Sequence, residues 1–86
     1  MDEHKLKDTG KAFLTKDGTK LHSLKDLYGH LSTISLEEFG HHVNEHKNDF
    51  ALWVEHAHGD KFLAKSLRQA KTKEQMQRAI FMALFS

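Results

Sequence analysis

Helix-start residues recur along this chain of 86 residues, each followed by apolar residues at helical spacing, and no proline interrupts any of the runs. Ser23 precedes Leu24, Leu27, Tyr28, Leu31 and Ile34, the i, i+3, i+4, i+7 pattern of a one-faced helix. Ser35-Leu36-Glu37-Glu38 has the form of a capping box and opens a segment with Leu36, Phe39 and Val43 on one face. Asn48 or Asp49 can cap the next segment, where Phe50, Trp53, Val54 and Ala57 repeat the pattern and Gly59 offers a stop. Asp60 restarts the chain into Phe62, Leu63, Ser66, Leu67 and Ala70. Thr72-Lys73-Glu74-Gln75 is a second capping box, leading into Met76, Ala79, Ile80, Ala83 and Leu84. Short linkers between the runs favour a compact bundle of four to five short helices.

Ahead of the first helix, KAFLTKDGTKLHS at 11 to 23 reads as a β-hairpin. Asp17-Gly18 suits a two-residue type I′ turn, which needs positive φ at both central positions. That register pairs Leu14 with Leu21 and Phe13 with His22, so Leu14, Leu21 and Ala12 share a face that covers the helices. The expected fold is α+β, an N-terminal hairpin packed on the bundle. Residues 1 to 10 lack periodicity and are expected to form a flexible arm, leaving 11 to 86 as one domain.

Composition closes off several function classes. With no cysteine there is no disulfide, thiolate metal site or thiol nucleophile, which fits a reducing, cytoplasmic setting. The opening MDEHKLKDTGK is too polar for a cleavable secretion signal, and the longest apolar run, AIFMALF, is far short of the ~20 residues that span a bilayer. A soluble chain without a membrane partner is expected. The net charge of +1 hides a bipolar distribution: residues 35 to 59 carry five acids against one lysine, residues 60 to 86 six Lys or Arg against two acids. Such asymmetry points to partners, not to fold.

Three motifs in order, F-x-x-x-D-G-x-x-L-x-S-L-x-x-L from Phe13, E-x-F-x-x-H-V-N from Glu37 and N-D-F-A-x-W-V from Asn48, are followed by L-A-x-x-L at Leu63, Ala64 and Leu67. Together they resemble a small, mostly archaeal domain family of unknown function, over roughly residues 12 to 84. The resemblance implies a stand-alone or appended cytoplasmic module and no particular activity. His41, His46, His56 and His58 lie outside that pattern.

Five of the eight histidines fall within residues 41 to 59, which raises metal binding and pH sensing. On a continuous helix His42 and His46 would share a face, with Glu45 or Glu38 as an oxygen ligand. No H-E-x-x-H string or spaced third ligand completes a zinc site, so no metal or other cofactor is expected. Protonating all five histidines would move this acidic segment from about −4 to about +1, but a switch also needs a bistable element, and solvated surface histidine is the favoured reading. His42 is expected to turn inward and hydrogen-bond the cap at Asn48 and Asp49, fixing a helix junction beside Phe50 and the core anchor Trp53. As a general base His42 would need Asp49 or Glu45, yet no nucleophile or glycine-rich oxyanion loop accompanies it.

Two surfaces remain. Lys61, Lys65 and Arg68 form a basic stripe of the kind phosphates require, but the sequence pI near 8.1 is low for a nucleic-acid-binding domain of this size, so a solvated face is favoured. In the last helix Phe81, Met82 and Phe85 widen the apolar face around most of the circumference, which suggests either a central helix or a surface for another chain. The expected function is a non-enzymatic interaction or regulatory module that binds an unknown protein partner or a second copy of itself.

Overall fold

Ser23, Ser35, Asn48, Asp60 and Thr72 each accept a backbone N–H at a helix start in the computed structural model, which describes residues 12–85. The arm expected over residues 1 to 10 lies outside them. Ser23 Oγ accepts from the Asp26 N–H at 3.1 Å to open α1 (Leu24–Thr33), and Ser35 Oγ accepts from the Glu38 N–H at 3.0 Å to open α2 (Leu36–His42). Of the two candidates at the next start, Asn48 is the cap: its Oδ1 accepts from the Ala51 N–H at 3.0 Å and opens α3 (Asp49–Ala57). Asp60 takes the Leu63 N–H at 2.9 Å to begin α4 (Lys61–Gln69). Thr72 accepts from the Gln75 N–H at 3.1 Å, while the Gln75 side chain reaches back to the Lys71 N–H, and α5 (Lys73–Phe85) follows. Each bond satisfies one of the orphan donors that every helix start leaves. Gly59, at φ +69°, terminates α3 as expected of a left-handed stop.

The N-terminal hairpin is present with a register one residue away from the expected one. β1 (Phe13–Leu14) pairs antiparallel with β2 (Lys20–Leu21) as Phe13↔Leu21 and Leu14↔Lys20. The loop is longer than two residues: the Gly18 N–H bonds the Thr15 carbonyl, and the Thr15 N–H bonds the Thr19 carbonyl. Only Gly18 takes positive φ, at +90°, so Asp17 is not in the left-handed conformation that a type I′ turn would demand. The Asp17 carboxylate instead accepts from the Thr15 hydroxyl and the Thr19 N–H. Those bonds, with the Thr15 hydroxyl the largest influence, hold the Asp17 carboxyl down at about 2. A slip of one residue exchanges faces along a strand. Leu14 is therefore exposed, while Leu21 is buried and Phe13 packs against the core.

The second departure lies in HHVNEHKN. The helix opened by Ser35 does not run on through Val43 and His46 but ends at His42, and a second hairpin follows, β3 (Val43–Asn44) with β4 (Lys47–Asn48). Asn44 drives the change, since its Nδ2 donates to the Gly40 carbonyl at 3.1 Å and its Oδ1 accepts from the His46 N–H at 2.9 Å. Such local side-chain bonds compete with helix continuation. Shortening the helix also changes its apolar face, and Leu36 is exposed while Phe39 is buried.

Leu24, Leu27 and Leu31 of α1 are fully buried against Phe50 and Val54 of α3, Leu67 of α4, and Met76 and Ile80 of α5. α3 packs on α4, α4 on α5, and α5 on α1, so the core is ringed by helices with the first hairpin over one end. Long-range polar bonds fix the ring. Asn48 Nδ2 donates to the Leu67 carbonyl at 3.1 Å, and Lys73 Nζ donates to the Ile34 carbonyl at 2.8 Å. No described helix is long and apolar enough to cross a membrane.

Candidate functional site

The expected helix junction at His42 is built as a buried polar chain that crosses four elements. His42, at the end of α2, is 5% exposed, and its Nδ1 donates to Asp49 Oδ2 at 3.0 Å in the first turn of α3. Lys47 Nζ donates to the same oxygen at 3.1 Å. Burial raises the Asp49 carboxyl, but the His42 and Lys47 bonds outweigh it and leave the group below its ordinary range. On the other side of the ring, His42 Nε2 faces Glu38 Oε2 at 4.0 Å, and Glu38 Oε2 faces His30 Nε2 of α1 at 3.4 Å. All three of these atoms are buried and without a hydrogen bond, and they become ion pairs when an imidazole is protonated.

The His42 ring also packs into an aromatic group. Its centroid is 5.2 Å from Phe13 and 5.3 Å from Phe50, and Phe13 lies edge-on to Trp53 at 6.0 Å. His42 thus meets Asp49 and Phe50 directly and Trp53 by way of Phe13, while Asn48, the cap itself, bonds the Ala51 N–H and the Leu67 carbonyl. A general base needs a ring nitrogen that reaches substrate. Both nitrogens of His42 instead face carboxylates of this domain, which makes the ring a strut between α2 and α3. Sequence reasoning missed His30 as a member of this chain. The local signal was Glu38 four residues before His42, which puts a carboxylate on the same helix face.

The other histidines disperse. His46 sits in the β3–β4 turn with its side chain 85% exposed, so it does not share a helix face with His42 and the paired-histidine arrangement does not form. His41 and His56 are exposed. Among the described residues no three His, Cys, Asp or Glu side chains are grouped to hold a metal ion.

The basic stripe on α4 is divided. Lys61 and Lys65 point outward, but Arg68 turns toward α3, where its Nη2 meets Glu55 Oε1 at 2.8 Å. This bond joins the basic and acidic halves of the chain within one molecule, and it removes one of three cations from any phosphate-binding row.

The surface that stands out is the outer side of α4 and α5. In α5, Met76 and Ile80 are buried and Ala79, Ala83 and Leu84 partly so, which completes the helix's share of the core. Phe81, Met82 and Phe85 are 47%, 62% and 72% exposed. The Phe81 and Phe85 rings lie 4.7 Å apart, and Phe81 approaches Tyr28 of α1 at 6.2 Å. Phe62, placed on the buried face by its spacing, is 84% exposed. It falls at the edge of the apolar arc of α4, where Leu63, Ala64 and Leu67 take the buried positions. Between Phe62 and Met82 runs a groove of about 480 Å³ floored by Leu63, Ala79 and Ala83. Apolar surface therefore continues from Phe62 across the groove to Met82, Phe85 and Phe81. Single exposed apolar residues are ordinary, whereas four large ones side by side are more than a small domain usually leaves to solvent.

Comparison with protein-family models, with curated proteins and with solved structures finds no match for this chain.

Proposed function

We propose that this chain is a non-enzymatic interaction module, adaptor or regulatory in role, that binds another protein through the outer face of α4 and α5. The observation that carries the reading is the exposure of Phe62, Phe81, Met82 and Phe85 beside a core that is complete without them. Leaving such a surface uncovered favours association over solubility, so it has a use beyond folding. The inward-facing nitrogens of His42 argue against an enzyme built on His42 and Asp49. The loss of Arg68 to Glu55 weakens the nucleic-acid alternative. The cysteine-free composition supports a cytoplasmic setting, and the D-G, H-V-N and N-D-F-A-x-W-V elements support kinship with the small domain family that they resemble.

The test is to replace Phe62 and Phe85 with Glu and to compare the variant with wild type in melting temperature and in proteins retained from a native lysate. An interaction face gives a variant that melts within a few degrees of wild type yet loses the retained protein. Equal retention by both proteins overturns the reading, as does a variant that unfolds together with its core.

A further inference from the structure

Resting on that reading, we propose that the α4–α5 groove receives one amphipathic helix of a partner protein, whose apolar stripe is flanked by Asp and Glu. Three observations select this occupant. The groove is walled by Phe62 and Met82 and floored by Ala79 and Ala83, so large side chains flank a channel with a small-residue bed. A row of Leu or Ile from a helix fits such a channel, as ridges fit grooves between packed helices. Strand addition is disfavoured, because each described strand is only two residues long and offers little edge.

Charge then sets the flanks. Lys65 lies three residues from Phe62 on α4, Lys61 is its neighbour in sequence, and Arg78 lies one turn before Met82 on α5; all three are exposed. The one acid among the residues lining the groove is Asp60, which caps α4 through the Leu63 N–H, so three exposed cations flank a single carboxylate. The rim is accordingly cationic, and an approaching segment with acidic flanks is steered to it and held in register.

The same rim disfavours a second copy of this chain. A two-fold dimer through this face places each patch on its own equivalent. Lys61, Lys65 and Arg78 of both copies would then share one interface with only one Asp60 from each to offset them, and like charges brought together are penalised.

The experiment uses ¹⁵N- and methyl-labelled full-length protein. It is titrated with a synthetic helical peptide carrying Leu at every third or fourth position with Glu on either side, and with a twin in which Lys replaces each Glu. The expected result is perturbation of Phe62, Ala79, Met82 and Ala83 signals and binding at least about tenfold tighter for the Glu peptide than for its twin. Lys65→Glu with Arg78→Glu, both on exposed positions, should weaken the Glu peptide about tenfold and leave the melting temperature nearly unchanged. Equal binding of the two peptides, or perturbation away from the groove, overturns the proposal. A sedimentation-equilibrium dimer that Phe85→Glu dissociates overturns it in favour of self-association. Duplex DNA that displaces the peptide from the groove residues overturns it in favour of nucleic acid. Equal binding of the two peptides with intact lysate capture overturns this proposal and leaves the interaction reading standing, whereas loss of both discrimination and capture overturns the interaction reading as well.

Discussion

Replacing His42 with alanine removes a side chain that is 5% exposed and that bridges α2 to α3. Two losses follow. A hydrogen bond to a charged group contributes about 1.5–3 kcal/mol, and here the Asp49 carboxylate keeps only Lys47 as a partner on that oxygen. The ring itself packs against Phe13 and Phe50, and truncating a buried ring of this kind leaves a cavity worth a further ~1–3 kcal/mol. The losses overlap, so a total of about 3 kcal/mol is expected, a large part of the stability of a domain this small. Urea unfolding followed by Trp53 fluorescence should show a lower midpoint with an unchanged slope, and the melting temperature should fall by roughly 12–24 °C. A double-mutant cycle with Asp49→Ala isolates the bond. A coupling of about 1 kcal/mol or more is expected, because the two residues act as one unit. A loss for His42→Ala below about 1 kcal/mol, or strict additivity with Asp49→Ala, would refute the strut.

Further outcomes concern charge, caps and backbone. Asp49 has a folded-state pKa below its unfolded one, so its stabilisation is present above the unfolded value near 3.9 and lost as pH falls through the folded value. Wild type should therefore lose more melting temperature than Asp49→Asn between pH 7 and pH 2, and equal losses would contradict the assignment. Asn48→Ala removes both the cap on Ala51 and the bond to the Leu67 carbonyl, and should cost about 2 kcal/mol in urea unfolding, against about 1 kcal/mol for Ser23→Ala, which removes a cap alone. Gly18→Ala meets open space but keeps φ at +90°, so a loss of about 1 kcal/mol is expected from backbone conformation alone, and a neutral result would contradict the turn geometry.

The helix starts were legible because capping is local: Ser23, Ser35, Asp60 and Thr72 each act on an N–H three residues ahead. The hairpin register was not, because Asp-Gly serves both a two-residue and a three-residue loop. What decides between them is the bonding of Asp17 to Thr15 and Thr19, a local choice that the dipeptide does not reveal. The second hairpin was hidden for a related reason. Apolar spacing carried the helix through Val43, while Asn44 bonded its own neighbours and ended it. His42 and Asp49 were readable as a pair across a short connection. His30 was not, since its contact with Glu38 depends on how α1 meets α2. Phe62 shows the limit of periodicity: a residue at the edge of an apolar arc is buried or exposed according to where the neighbouring helix lies, and α5 leaves it at the rim of a groove.

Site-specific photocrosslinking in living cells tests the interaction face most directly. A photoreactive residue at Phe62, Met82 or Phe85 should give the same discrete protein adduct, and the same residue at Leu36 or Lys16, exposed on other faces, should give none. Adducts of equal strength from all five positions, or none from the α4–α5 positions, would contradict a protein-binding role for that face.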